Sequence, residues 1–182
     1  MEIRRFFIDA EFNDEIGDCR IEPISLALVP DDDAAREFYA VSSEFSEGAA
    51  HGWLRMHVLP KLPPRGERLT LAEIRDDIST YFNACAPING QDAKLEFWGK
   101  NIGMDMAVLG LIFGGLSKFY AAVGACGFKR SYFNDSDMLR TRLYEQGVKP
   151  PFSHIPDAER HMALLDARQE RAEYRMMKAL LG

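Results

Sequence analysis

The sequence predicts an α/β fold on a mixed sheet, and three observations carry that expectation. Three runs rich in apolar, β-branched and aromatic residues come first, joined by short polar connections. Two shorter apolar runs then alternate with stretches of helical periodicity. The 182 residues, 47% of them hydrophobic, are enough for one buried core, and no composition break, internal repeat or low-complexity segment marks a second unit. One domain over residues 1–182 is therefore expected.

Taken in order, strands are expected at Ile3 to Phe12, at Ile21 to Val29 after the turn signal Gly17-Asp18, and at Glu37 to Phe45. Their short links predict an antiparallel meander. Helices are expected at Ala49 to Val58 and Leu71 to Asn83, flanking the proline-rich link Pro60-Lys61-Leu62-Pro63-Pro64. Leu95 to Gly99 reads as a short buried strand, Met104 to Phe113 as a helix and Phe128 to Phe133 as another strand. Asp135 to Gln146 reads as a helix that Gly147 stops, with prolines beyond. The closing helix should run from about Met162 to Leu181, with Met162, Leu165, Ala172, Met176 and Leu180 as its inward stripe.

Composition excludes several classes. The longest apolar run, Met106 to Leu116, is about half of the roughly 20 residues a bilayer crossing needs, so no membrane association is expected. Phe6-Phe7-Ile8, between Arg4-Arg5 and Asp9, is too short for a signal-peptide core, and a cytoplasmic location is expected. Cys19, Cys85 and Cys126 lack disulfide or zinc-site spacing and read as reduced, mostly buried thiols. A net charge of −6 argues against broad coating of nucleic acid but leaves room for a nuclease, whose metal-binding carboxylates count toward that charge.

Chemistry concentrates at three places. In the first strand, alternation puts Phe6, Ile8, Ala10 and Phe12 on one face and Phe7, Asp9 and Glu11 on the other. Two carboxylates side by side on an otherwise apolar strand call for something to offset their repulsion, a divalent cation being the simplest; a solvated sheet edge is the alternative. Asp105 falls in the first turn of its expected helix, where a metal-binding role and simple capping both fit. His161 and Asp166, five residues apart, stand about 140° apart on an ideal helix. They converge only if His161 lies at the helix entry, outside helical geometry.

Asp9-x-Glu11, Asn101-x-x-x-Asp105-x-x-x-Leu109 and His161-x-Ala163-x-x-Asp166-Ala167 resemble, in order and spacing, the three motifs of the DEDDh 3′→5′ exonuclease superfamily. The segment Trp53-Leu54-Arg55-Met56-His57-Val58-Leu59-Pro60-Lys61-Leu62-Pro63-Pro64 is similar to one typical of its compact ribonuclease T-like bacterial and phage exoribonuclease branch. Lys100 and Met104 depart from the common pattern, in positions that bear on substrate packing and not on metal ligands. The resemblance implies a ribonuclease H-like fold with a central five-stranded mixed sheet flanked by helices.

It also implies that Asp9, Glu11, Asp105 and Asp166 hold two Mg²⁺ or Mn²⁺ ions, with His161 as general base, in a 3′→5′ exoribonuclease releasing nucleoside 5′-monophosphates from single-stranded RNA. Phe12 would pack against the terminal base or serve the core. Asn101 would orient the terminal nucleotide or cap the following helix. The same chemistry on single-stranded DNA is the alternative within this class, and a non-catalytic nucleic-acid-binding module of the same fold is the alternative outside it. A homodimer is implied too. Arg168, Arg171, Arg175 and Lys178 share an arc of about 80° on the last helix. They read either as a solvated face balanced by Glu170 and Glu173 or as a track feeding RNA to a partner subunit's site. Lys61, Arg65 and Arg68 form a second basic group that the sequence does not separate from a solvated loop.

Overall fold

The computed structural model describes residues 1–14, 20–87, 92–150, 156 and 159–182; the expected Gly17-Asp18 turn and Cys19 lie outside the described residues. β1 (Glu2–Asn13) is the central strand of a five-stranded sheet. β2 (Glu22–Pro30) and β3 (Phe38–Val41) extend it antiparallel on one side, as the expected meander. β4 (Ala93–Gly99) and β5 (Phe128–Asp135) run parallel to it on the other, completing the order β3-β2-β1-β4-β5. The third strand is shorter than expected. Ser42 bridges to Leu69, and Phe45 leaves the sheet for a small cluster with Ile24, Ala50, Leu54 and Val58 around α1 (Gly52–His57).

Alternation along β1 sorts the two layers. Phe6, Ile8 and Ala10 bury against α2 (Leu71–Ala84), α3 (Gly103–Phe113) and α4 (Leu116–Ala125). Phe7, with Ala27 and Val29 of β2, buries against α5 (Asp137–Glu145) and α6 (Ala163–Leu181). Asp9 and Glu11 share the α6 side with Phe7. Thr70 and Glu73 close a reciprocal capping box at the start of α2, which fixes where that helix leaves the preceding loop.

α4 was not expected. Gly114 adopts a left-handed φ of 69° and ends α3, and Gly115 at φ 136° starts α4 at an angle of 77° to it. The glycine pair reads as a helix stop, yet Phe119 and Val123 just beyond are fully buried in the main core. No single helix among the described residues is long and apolar enough to cross a membrane.

Two readings of α6 need correction. The expected inward stripe is displaced: Ala172, Met176 and Leu180 are exposed, and the buried residues are Ala163, Ala167, Glu170, Glu173, Tyr174 and Met177. Glu170 and Glu173 do not balance the basic arc, and its three arginines are paired elsewhere. Arg168 pairs with Glu37 at 2.6 Å, Arg171 with Asp33 at 3.2 Å and Arg175 with Asp33 and Asp31 at 3.0 Å, all from the β2–β3 connection. Glu170 and Glu173 face inward onto Arg140. Reversing Arg171 and Arg175 to Glu should lower stability by about 1–2 kcal/mol, because repulsion replaces several partly screened pairs. RNA binding per folded molecule should stay at the wild-type level, checked by a melt and a fluorescence-anisotropy titration.

Candidate active site

The site forms where β1 outruns its neighbour. β4 stays paired with β1 only as far as Phe7–Trp98, while β2 continues, setting Asp9 opposite Ala27 and Glu11 opposite Ser25. At Gly99 the strands lie so close that a Cβ would stand 2.8 Å from the Ile8 carbonyl oxygen, a distance only glycine permits. The chain then turns through Asn101 and Ile102 into α3, and the backbone N–H groups of Ala10 and of Asp105 itself favour the charged form of the Asp105 carboxyl in its first turn. Asp105 is 6% exposed.

α6 closes the other side. His161 has a left-handed φ of 62° and precedes the N-cap Met162, so it lies at the helix entry, the placement under which it can meet Asp166. Its backbone N–H donates to Asp166 Oδ2 at 2.8 Å. Ligand atoms of Glu11, His161 and Asp166 all fall within 4.8 Å of one another. The structure therefore gathers Asp9, Glu11, Asp105, His161 and Asp166 at one end of β1.

Their electrostatics are those of crowded carboxylates. Burial first, then Asp105, Glu11, Asp166 and Glu170, hold the Asp9 carboxyl well above the usual range. Burial and Asp166 push Glu11 up to about 8, against an opposing pull from Lys61. Burial pushes Asp105 up to about 7, although two backbone N–H groups favour its charge. Asp166 is raised by burial, with the His161 N–H and the cations Arg160 and Lys61 acting the other way. Hard oxygen donors whose charges oppose one another suit a divalent cation of the Mg²⁺ or Mn²⁺ kind, so the residues fit such an ion.

The two remaining candidates stand apart. Phe12, on the opposite face of β1, packs part-buried against the main core. Asn101 is exposed with φ 53°; its backbone N–H donates to Asp135 Oδ1 at 3.4 Å and its carbonyl accepts from the Met104 N–H at 3.5 Å. The capping reading of Asn101 is corrected: the cap position is Ile102, with no side-chain cap. A left-handed residue one place earlier does not present its side chain to the helix N–H groups.

No protein-family model matches the chain. Two curated 3′–5′ exoribonucleases of Mycobacterium tuberculosis, from strains CDC 1551 / Oshkosh and ATCC 25618 / H37Rv, are each 33% identical to it over 175 residues, which is 95% of this chain and 92% of theirs. The chain belongs to this 3′–5′ exoribonuclease family. A solved structure of 3′-end recognition of the histone mRNA stem-loop by a 3′-exonuclease matches with a TM-score of 0.54 at 12% identity, over 97% of this chain and 64% of that one. At that identity the likeness speaks for the fold, which is ribonuclease H-like. Membership of the exoribonuclease family makes the chain a nuclease of the hydrolase class.

Beside the cluster of this exoribonuclease-family chain stand residues to which the sequence reading gave no role in the site. Trp53, 41% exposed, meets the His161 ring edge-on at 4.6 Å, with His57 5.8 Å from that ring. The tryptophan-containing segment is the signal that pointed there. Lys61 Nζ donates to the carbonyl of Arg160, next to His161, whereas Arg65 and Arg68 both bind Glu47. That separates the three linker cations. A cavity of about 980 Å³ at the opposite end of β1, lined by Arg4, Phe6, Asp31, Tyr81 and Cys85 among others, contains none of the clustered residues.

Proposed function

We propose that this chain is a metal-dependent 3′→5′ exoribonuclease that removes nucleoside 5′-monophosphates from single-stranded RNA ends. The observation that carries the reading is the convergence of four carboxylates and one histidine, from β1, α3 and the entry of α6, on the end of β1 that β4 leaves open. Asp9, Glu11, Asp105 and Asp166 would hold two Mg²⁺ or Mn²⁺ ions. Bound there, the ions supply Lewis-acid polarisation and charge stabilisation for phosphodiester hydrolysis.

The remaining work belongs to the side chains. His161, whose ordinary pKa is about 6.5, takes the proton from the attacking water. Asp166 accepts the His161 N–H and so fixes the turn that carries the imidazole. The exposed indole of Trp53 offers a stacking face for the terminal base beside that histidine. The resemblance in sequence supports Phe12 and Asn101 as further contacts of the terminal nucleotide, although both stand outside the carboxylate cluster. The names of the relatives support RNA as the substrate, and the resemblance in sequence supports one exonuclease unit over residues 1–182, working as a homodimer.

A time course with 5′-labelled single-stranded RNA and matched DNA, each with Mg²⁺, Mn²⁺ or EDTA, tests the proposal. A ladder that shortens from the 3′ end of RNA, and only with metal, is the expected result. Preferential shortening of DNA would overturn the substrate assignment. Cleavage of neither strand would leave a nucleic-acid-binding module.

A further inference from the structure

α6 lies along β1 in matched steps. Two strand residues advance about 6.6 Å and four helix residues about 6.0 Å, so residues one turn apart on α6 can follow alternate residues of β1. Asp166, Glu170 and Tyr174 follow Glu11, Asp9 and Phe7 in this way. The contacts bear out both ends of the register. Asp166 and Glu11 bring ligand atoms within 4.8 Å, and the Tyr174 and Phe7 rings lie 5.1 Å apart. Glu170 falls between them at the level of Asp9, close enough for its charge to act on Asp9 and Asp105.

Glu170 is 8% exposed. Its Oε1 accepts from Arg140 Nη2 at 3.3 Å, and the Ser136 hydroxyl also favours its charged form. Its Oε2 is buried and accepts no hydrogen bond from any described residue. Such an oxygen is costly unless something else engages it. Neutralising Arg140 does not explain it, since Glu173 and Asp137 already bind that guanidinium. Nor does packing. Ala163, Ala167, Tyr174 and Met177 make a regular buried stripe into which an apolar residue at position 170 would fit, and replacing a buried ion pair by apolar groups is often neutral or stabilising.

We propose that Glu170 is a fifth carboxylate of the divalent-cation site, supplying its free Oε2 to the ion held by Asp9 and Asp105, with Arg140 as its positioning residue. The proposal rests on the reading of those two aspartates as cation ligands. Arg140 suits the task. Buried on α5, it spans Ser136 Oγ at 3.0 Å, Asp137 Oδ1 at 2.9 Å and both glutamates of α6, which fixes the Glu170 rotamer from behind.

The test is Mn²⁺ binding to the metal-free protein without RNA, by calorimetry, for wild type, Glu170→Gln and Asp9→Asn, with a thermal melt of each in EDTA. Glu170→Gln should weaken Mn²⁺ binding by about 10-fold or more, the effect usual for residues that support metal ligands, without lowering the metal-free melting temperature. Wild-type affinity together with a lowered melting temperature would make Glu170 a structural partner of Arg140 and overturn the inference. If Glu170→Gln does not fold, Glu170→Asp takes its place: the charge is kept and the reach shortened, so weaker Mn²⁺ binding supports the inference and unchanged binding overturns it. Loss of binding in Asp9→Asn with none in the Glu170 variant sinks this inference alone. A wild type that binds no Mn²⁺ sinks the proposed function with it.

Discussion

Asp9→Asn is expected to abolish RNA hydrolysis and, without divalent ions, to raise the melting temperature. The two effects have one cause. Burial and the carboxylates of Asp105, Glu11, Asp166 and Glu170 all disfavour the Asp9 charge, and asparagine keeps the shape while giving up that charge. The pH dependence follows from the same shifts. In the unfolded chain these carboxyls lose their protons near pH 4, whereas in the folded protein Asp105 holds its proton up to about 7 and Glu11 up to about 8. Between those limits the folded state binds more protons than the unfolded, so stability is greatest below about pH 4 as far as these groups decide it, and falls as pH rises toward 8.

Divalent cations bind the charged form and stabilise the folded state by mass action, most strongly at the upper end of that window. Melts from pH 5 to 8 should therefore show a falling melting temperature for wild type in EDTA, a shallower fall for Asp9→Asn, and recovery by millimolar Mg²⁺ or Mn²⁺ in wild type only. Wild-type turnover by Asp9→Asn, or a wild-type melt indifferent to both pH and Mn²⁺, would remove the carboxylates from the chemistry.

What was legible in the sequence follows the range of the forces involved. The period of two in a strand is local, so Phe6, Ile8 and Ala10 could be assigned to one layer and Asp9 and Glu11 to the other from the chain alone. The 100° step of a helix is equally local. It required His161 to lie outside the helix if it was to meet Asp166, and the φ of 62° is how the chain does it. Features set by remote partners were not legible. Glu170 and Glu173 read as surface residues because Arg140, which accompanies them inward, sits on another helix about thirty residues away. The arginines of α6 read as free or locally balanced because Asp31, Asp33 and Glu37 lie more than a hundred residues earlier. Displacing two glutamates from the solvent face to the buried face also rotated the inferred apolar stripe. Asn101 failed as a cap for a backbone reason, a left-handed φ that residue type suggests but does not require.

His161→Asn is expected to lower kcat by about 10² to 10⁴ while leaving Mn²⁺ affinity near that of the wild type. Asparagine is the informative replacement because it tolerates the left-handed backbone that His161 adopts, whereas alanine would add strain to the loss of the imidazole. The backbone N–H to Asp166 is then kept, and the loop stays against α1. Wild-type kcat/KM should rise with pH as the imidazole loses its proton, and the variant should lack that limb when both are measured at saturating Mn²⁺. Glu11, His161 and Asp166 lie near enough for His161 to serve as a ligand instead of a base, and the two roles part under titration. A ligand's loss weakens Mn²⁺ binding and is repaired by more Mn²⁺; a base's loss is not. Recovery of the wild-type rate at high Mn²⁺ would move His161 into the ligand set, whereas a rate that stays low with affinity intact assigns it the proton.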